Sequence, residues 1–547
     1  MKEHPFAKIL SALLIVGLVL FIMGCQSKGE MKERLLGYWP LTENFEDISG
    51  NGHHAVPRGD VILDTDYAIF NGKNAWLEVP MEGLDHLQEF SISAMINADD
   101  ASDDIPGDIA SWYDPVERKG FHLSLKTNYV TTSQANYRQL TFGVDNNIQS
   151  AWMDCGKPGK ALIAFSLIDF EGELYAGVCE PGPDEVGHVY RYEGGQKWTD
   201  CGSPDQSNSV MALVEYEGSL YAGTGHYRLA GSSLPESENQ KPGGSIFRYT
   251  SDGRWEHCGQ LPDVTTIGGL LVYRGDLYAS SLYSPGFYRY EGGTNWKNCG
   301  TPFGKRVVAM SVFDGFIYAT SYDNGNVYRY DGQKWEDCGP VGDNTQTYSF
   351  ISYQGKLYVA TWPSGRVFRF DGVEQWKDVG RLGEELEVMG MVVHNGRFMG
   401  GTLPLAEVYS YEGDTTWVRM EQLDKTPDVR YRRAWTMAEH DGKVYCSTLP
   451  SGHILAYESG KSTSWGRTFP TGWHHVTAVK SMRDIKLYVD GKQVSEKEIS
   501  FETSMQVPGE IVLKIGFGSN DFFKGQMRDF RIFNTALSPE EIQNLTR

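Results

Sequence analysis

The sequence predicts an all-β protein in which a ring of four-stranded sheets is set into the middle of a second β-domain. Three observations predict it. A short unit, GNVYRYDGQKWEDCG from Gly325, recurs along the chain; no copy carries a helical apolar period; and the stretches on either side of the copies read as alternating strands that do not repeat. The copies are GHVYRYEGGQKWTDCG from Gly187, GSIFRYTSDGRWEHCG from Gly244, GFYRYEGGTNWKNCG from Gly286 and GRVFRFDGVEQWKDVG from Gly365, with a looser AEVYSYEGDTTWVRM from Ala406. Each unit has four short runs, such as VVAMSVFDG, FIYATSYDN, NVYRYDGQ and KWEDCG. Asp-Gly, Asn-Gly or Gly-Gly turns between the runs supply the positive φ of tight hairpins. Such a unit cannot bury both of its faces alone, and stacking the units radially as a β-propeller covers them.

The repeat tryptophans are Trp152, Trp198, Trp255, Trp296, Trp335, Trp376 and Trp417, with Trp465 ending the run, most of them about forty residues apart. Eight tryptophans bound seven intervals, which predicts a seven-bladed β-propeller over residues 151–465, with six or eight blades as alternatives at the degenerate ends. At 547 residues the chain is too long for one core. The formal net charge of −21 disfavours nucleic acid as a partner, because phosphate binding needs a basic surface. Five of the eight cysteines (Cys155, Cys201, Cys258, Cys299 and Cys338) follow a repeat tryptophan by three. Equivalent places in neighbouring blades lie about 10 Å apart, too far for a disulfide, so these read as small buried residues. Cys179 and Cys446 on second strands leave a ring-closing disulfide open as an alternative.

Residues 1–24 read as a targeting segment, with Lys2 and Lys8 before an apolar run from Ile9 to Met23. The run ends Ile22-Met23-Gly24-Cys25, which resembles a bacterial lipoprotein signal. The resemblance implies cleavage before Cys25, a lipid on its sulfur, a tether over 25–34, and attachment at the outer membrane or cell surface. An uncleaved signal anchor is the alternative.

Residues 35–150 read as strands: LLGYWPLTE, YAIFNGKNAWLEVP, FSISAMINADD, GFHLSLKT and YRQLTFGV. GYWPLTENFEDISGNGHHAV and EFSISAMINADD resemble the opening of a laminin-G-like, concanavalin A-like jelly roll. From Gly472, GWHHVTAVKSMRDIKLYVDGKQV, LKIGFGSN and FFKGQMRDFRIFNTALSPEEIQNL resemble the closing strands of the same family, in family order. Neither flank has enough strands to cover its own faces. The expected architecture is therefore a propeller inserted into one concanavalin A-like β-sandwich, made of 35–150 and 466–547. The resemblance also implies a structural Ca²⁺ site, for which Asp47, Asn51 and Asp529 are the candidates.

In a propeller the loops from second to third strand and from outer to next inner strand share one face. The first set offers Glu180, His226, Tyr227, Arg228, Tyr283, Tyr322, Asp323 and Trp362. The second offers Lys305, Arg306, Tyr348, Glu384, Glu385 and the run Arg430-Tyr431-Arg432-Arg433-Ala434-Trp435. Three arginines beside two aromatics in an acidic chain suit a carboxylated or sulfated sugar, since guanidinium grips planar anions and aromatic faces stack on sugar rings. The alternative is pairing with neighbouring carboxylates. Tyr283, Tyr322 and Trp362 stand at matching places, as stacking platforms or as blade-edge packing. The D/E-G-x-x-W turn partly resembles the Asp box of sialidase-type propellers, which is a structural turn and implies no catalysis.

Two readings follow, with a protein-interaction scaffold as a third. One is a lipid-anchored surface protein that binds a polysaccharide or oligosaccharide, an anionic one by the arginine run. The other is a glycan-degrading enzyme. β-Elimination would use His226 or Tyr227 (or Tyr431) as base and Arg432 to neutralise a uronate, whereas hydrolysis would need two carboxylates such as Asp323 with Glu180 or Glu384.

Overall fold

The computed structural model describes residues 31, 33–81, 87–98, 104–130, 133–251, 253–499 and 511–546. The expected targeting segment and Cys25 lie outside the described residues. No helix among the described residues is long and apolar enough to cross a membrane.

The chain is all-β, with a short closing helix, Pro539–Leu545, opened by a capping box between Ser538 and Glu541. One sandwich sheet runs Ile62–Leu63, Ala68–Asn71, Lys524–Phe533, Phe90–Ala98, His474–Lys480, Asp484–Val489 and Lys492–Glu498, with Leu35–Trp39 also on Lys524–Phe533. Both neighbours of Phe90–Ala98 come from the far end of the chain: Ile92 lies opposite Ala478 on one side and Ile532 on the other. The second sheet includes Trp76–Val79, Leu513–Ile515, Gly107–Asp114, Lys119–Val130, Ser133–Gln149 and Ser459–Thr468. Alternation sends Phe90, Ile92, Ala94 and Ile96 inward against Phe121, Leu123, Phe142 and Val144, all fully buried. Each large side chain so buried contributes about 1.5–3 kcal/mol. The N-terminal strands pack on one another in this core, and Val476, Ala478, Leu487, Leu513, Met527 and Phe530, which follow the propeller, complete it.

Between the flanks, four-stranded antiparallel meanders follow one another. Seven separate blades are not what the strand pairing shows. Five sheets lie wholly within this region, because Cys179 opposite Ser209 joins two meanders into one eight-stranded sheet. A further meander, Ile267–Tyr273 to Trp296–Asn298, is continuous with the sandwich through a parallel bridge of Leu270 to Ser133. Met153–Asp154 pairs with Ile454–Tyr457, so chain from before the first meander completes the sheet of the last.

The repeated Trp-x-x-Cys spacing has a mechanical cause. The indole N–H of six repeat tryptophans donates to a carbonyl of the preceding repeat: Trp198 to Cys155 (2.9 Å), Trp255 to Cys201 (3.0 Å), Trp296 to Cys258 (2.8 Å), Trp335 to Gly300 (3.2 Å), Trp376 to Cys338 (2.9 Å) and Trp417 to Val379 (2.9 Å). A small residue at that place lets the ring close onto the backbone, and the cysteines among the described residues, Cys179 and Cys446 included, are free thiols. Trp465 does not belong to the series. It lies in the sandwich strand Ser459–Thr468, near Phe469.

The propeller rests on the outward face of the second sandwich sheet. His122, Ser124 and Asp145 on that face are buried. Lys126 Nζ donates to Val393 O (2.6 Å), Asn395 Nδ2 to Val144 O and Ser459 O (both 3.0 Å), and Ser352 Oγ to Asp521 Oδ2 (2.6 Å). These contacts use the turns between first and second strands. The starts of the innermost strands therefore face the other way, into solvent.

Candidate functional site

At that solvent-facing end the innermost strands enclose a cavity of about 350 Å³. Its walls are Tyr227, Tyr283, Tyr322, Tyr348 and Trp435, with Met211, Leu282 and Val308 below, and its polar lining is Arg228, Glu236, Gln346 and Arg433. The aromatic walls come from five separate meanders of the propeller region. Residues after the second strands supply Tyr227, Tyr283 and Tyr322, and the starts of innermost strands supply Tyr348 and Trp435.

Arg433 is the centre of the polar floor. It is buried, donates to Glu387 Oε1 (3.3 Å) and also bonds the Ser232 hydroxyl. Burial works against its charge, and the Glu387 carboxylate overcomes this and holds the guanidinium above its ordinary range. Tyr227 shares Ser232 (2.6 Å), and Tyr348 donates to Gln346 Oε1 (2.6 Å). Burial pushes the hydroxyl of Tyr227 up and those of Tyr322 and Tyr348 well up, so they remain protonated at neutral pH. At the rim the Arg228 guanidinium lies 4.3 Å from the Tyr283 ring centre, and its backbone N–H donates to the Tyr283 hydroxyl (3.0 Å).

The long insertion after Gly225 is fastened across the mouth. Tyr227 is held by Asn208 through N–H to Oδ1 (2.7 Å) and Nδ2 to carbonyl (3.1 Å). Glu236 accepts from the N–H groups of Leu229 (2.9 Å) and Ala230 (3.0 Å). Asn239 Nδ2 ties the far end to the carbonyls of Glu185 (2.8 Å) and Gln206 (3.0 Å).

The structure divides the arginine run by strand alternation. Arg433 and Trp435, two apart, enter the cavity. Arg430 is exposed over the Tyr431 ring (4.9 Å), and Arg432 Nε is spent on Thr426 O (2.6 Å). His226 is not part of the cavity lining; its Nδ1 is buried without a hydrogen-bond partner among the described residues, and burial lowers its pKa. The trio His226, Tyr227 and Arg432 thus does not converge on one space, and a proton-abstracting site is not assembled from it. Arg306, a ligand-binding candidate, is instead paired with Asp323 (Nη2 to Oδ1, 2.7 Å). Glu180 is buried and accepts from Lys160 N (2.7 Å) and the Tyr190 hydroxyl (3.0 Å), and Glu384 pairs with Arg381. None of these carboxylates lines the cavity; the carboxylate that does is Glu236. Trp362 packs beside Tyr322 and Tyr348 in the same apolar cluster but outside the lining.

The expected calcium corner does not fit a cation. Asp47 accepts from Tyr38 N (2.9 Å), Ser49 N (2.9 Å), Ser49 Oγ (2.8 Å) and His53 N (3.0 Å), which spend its lone pairs on the turn. Asn51 donates its Nδ2 to the carbonyls of Leu35 and Leu36, and Asp529 is engaged by the Tyr38 hydroxyl (2.6 Å) and Arg531 (2.8 Å). Among the described residues no group of three or more His, Cys, Asp or Glu could hold a metal ion.

Sequence reasoning passed over Gln346 and Glu387. Each opens an innermost strand at the register held by Arg433, opposite Trp362, Leu403 and Leu449 respectively. Ile163 and Ser209 hold that register in the first two repeats, opposite Cys179 and Gly225. Aligning the repeats on this position was the signal: three successive polar residues where the pattern allows an apolar one.

Residues 415–543 match the model of the Concanavalin A-like lectin/glucanases superfamily. The part of the match beyond Ser459 coincides with sandwich strands, and the earlier part with the last two meanders. No curated protein sequence matches the chain. Among solved structures, the extracellular domain of a putative hybrid two-component system from B. thetaiotaomicron shares 15% identity over 56% of this chain, with a TM-score of 0.40. The match spans 39% of that domain's length. A Trypanosoma rangeli sialidase in complex with the inhibitor DANA shares 11% identity over 74% of this chain and 98% of its own, TM-score 0.28. A gluconolactonase from Xanthomonas campestris shares 11% over 59% and 90%, TM-score 0.32. At these scores none of the three bears on the site.

Proposed function

We propose that the protein is a glycan-recognition protein of the cell envelope, lipid-anchored at Cys25, that takes part of a polysaccharide chain into the mouth of its propeller. The proposal takes the seven tryptophan repeats as blades of one ring spliced into the sandwich, with the mouth on its axis. The observation that carries it is the composition of the cavity. Tyrosine and tryptophan faces form the walls, and the floor carries two prearranged planar polar groups, Gln346 held by the Tyr348 hydroxyl and Arg433 held by the buried Glu387. Aromatic faces stack on the apolar faces of sugar rings, and fixed planar groups meet hydroxyls at little entropic cost. Arg228 at the rim supplies the cation that would favour an acidic substituent. Because the outward face of one sandwich sheet is covered by the propeller, recognition is assigned to the mouth. Binding rather than catalysis is the preferred reading, since the carboxylate in the lining, Glu236, is engaged by the Leu229 and Ala230 N–H groups and Glu387 by Arg433.

The test is binding to a panel of neutral, uronate-rich and sulfated polysaccharides, with ultraviolet absorbance followed for unsaturated products. Binding without turnover, lost about tenfold or more in Tyr283→Ala and Trp435→Ala, is expected. Retention of binding by both variants, or turnover of any panel member, would overturn the reading.

A further inference from the structure

The seventh repeat tryptophan breaks the rule that the other six keep. By the spacing of the series the indole of Trp152 should clip to the backbone of Met420, three residues past Trp417. Instead Trp152 Nε1 is buried without a hydrogen-bond partner among the described residues, although the ring is stacked on Tyr457 (5.1 Å between centres). A cleft of about 600 Å³ opens at the same seam. One wall is the outer strand around Val418–Gln422, the other is Trp152, Leu455 and Tyr457, and Arg118 of the sandwich reaches into it.

The charges in this cleft are unbalanced in one place. Arg118 is paired with Glu412, Arg419 with Glu407 (2.5 Å) and Lys425 with Glu421 (3.4 Å). Arg397, which also lines the cleft, is 4% exposed, and its Nε and Nη2 have no partner among the described residues. Asp145 attracts it only at a distance, its own oxygens being taken by Asn147 N (2.9 Å) and the Tyr113 hydroxyl (3.2 Å). A guanidinium held out of water without a counter-charge is costly, and a planar anion satisfies its fork of donors best.

We infer that this seam is a second binding site, separate from the mouth, for a carboxylate-bearing ligand the size of an acidic monosaccharide, with the carboxylate on Arg397 and the ring between the Trp152 wall and the Val418 strand. The site lies where the chain closes its last sheet, so an occupant would bridge two repeats that no indole bond joins.

The test uses the full chain, titrated calorimetrically and by thermal shift with D-glucuronate, D-galacturonate, D-glucose and acetate. Saturable binding of a uronate with a rise in Tm, and none of glucose, is expected. Arg397→Gln should weaken at least tenfold the uronate binding that a Tyr283→Ala chain, with its mouth disabled, retains. Should Arg397→Gln fail to fold, Val418→Trp, which fills the cleft from a half-exposed position, is expected to abolish binding in its place. Uronate binding unaffected by the cleft variants, binding lost only in Tyr283→Ala, or no saturable binding at all (a cleft that holds water only) would each overturn the assignment. Acetate binding as tightly as a uronate would overturn the sugar while retaining the carboxylate contact.

Discussion

Arg433 and Arg397 are both buried in the propeller, at 6% and 4% exposure, and the protein treats them in opposite ways. Arg433 is given Glu387 and Ser232, so the mouth carries a neutral, rigid polar floor beneath its aromatic walls. Arg397 is given no partner among the described residues, so the seam keeps a cation in reserve. A buried arginine is therefore not one kind of feature. With an internal counter-ion it is scaffolding that shapes a site for uncharged hydroxyls, and without one it is a demand for an external anion.

The largest effect expected from this contrast is at Glu387. Glu387→Ala strands Arg433 as an uncompensated buried cation and should cost about 3–5 kcal/mol, read from denaturant midpoints at constant slope. A loss near zero would erase the distinction between the two arginines.

Next in size is a pH effect beside the seam. Burial raises the Asp145 carboxyl from 3.8 to about 6. A folded-state pKa above the unfolded one means that the native chain holds the proton more tightly. The stabilising contribution is complete below about pH 4 and is lost as pH rises through about 6. Two units correspond to roughly 3 kcal/mol. Asp145→Asn should therefore be more stable than the parent at pH 7.5, by up to that amount. The difference between the two chains should appear between pH 4 and pH 7, in paired urea titrations across pH. A constant difference over that range would contradict the burial argument.

The tryptophan series gives a smaller, sharper comparison. Trp198→Phe removes an indole bond to the neighbouring repeat and should cost about 0.5–1.5 kcal/mol more than Trp152→Phe, which has no such bond to lose. Equal costs would mean that the seam is latched in solution. Least of all, Arg397→Met should change stability by less than about 1 kcal/mol, in either direction, in the absence of ligand.

Much of this was legible in the sequence. The strands, the turns and the laminin-G-like ending were readable because alternation and Gly-containing turns are local signals. The mouth was readable in part, since Tyr227, Tyr283, Tyr322, Tyr348, Arg433 and Trp435 all sit in the loops or strand starts that a propeller gathers on one face. The pairing of charges was not. That Arg306 would be spent on Asp323, Arg432 on a backbone carbonyl and Arg433 on Glu387 depends on side-chain directions that strand period alone only half determines. Trp465 misled because its spacing imitates the repeat while its strand pairs with Ser133–Gln149. The seam could not be read, because it consists of a bond that six tryptophans make and the seventh does not.

The account turns on what enters the mouth. The most direct measurement is a crystal structure of the full chain with the tightest-binding oligosaccharide from the panel. A sugar ring stacked on Tyr283, Tyr322 or Trp435, with hydroxyls on Gln346 and the Arg433–Glu387 pair, is the predicted result. An empty mouth with the oligosaccharide bound elsewhere, on the exposed sandwich sheet for instance, would contradict it.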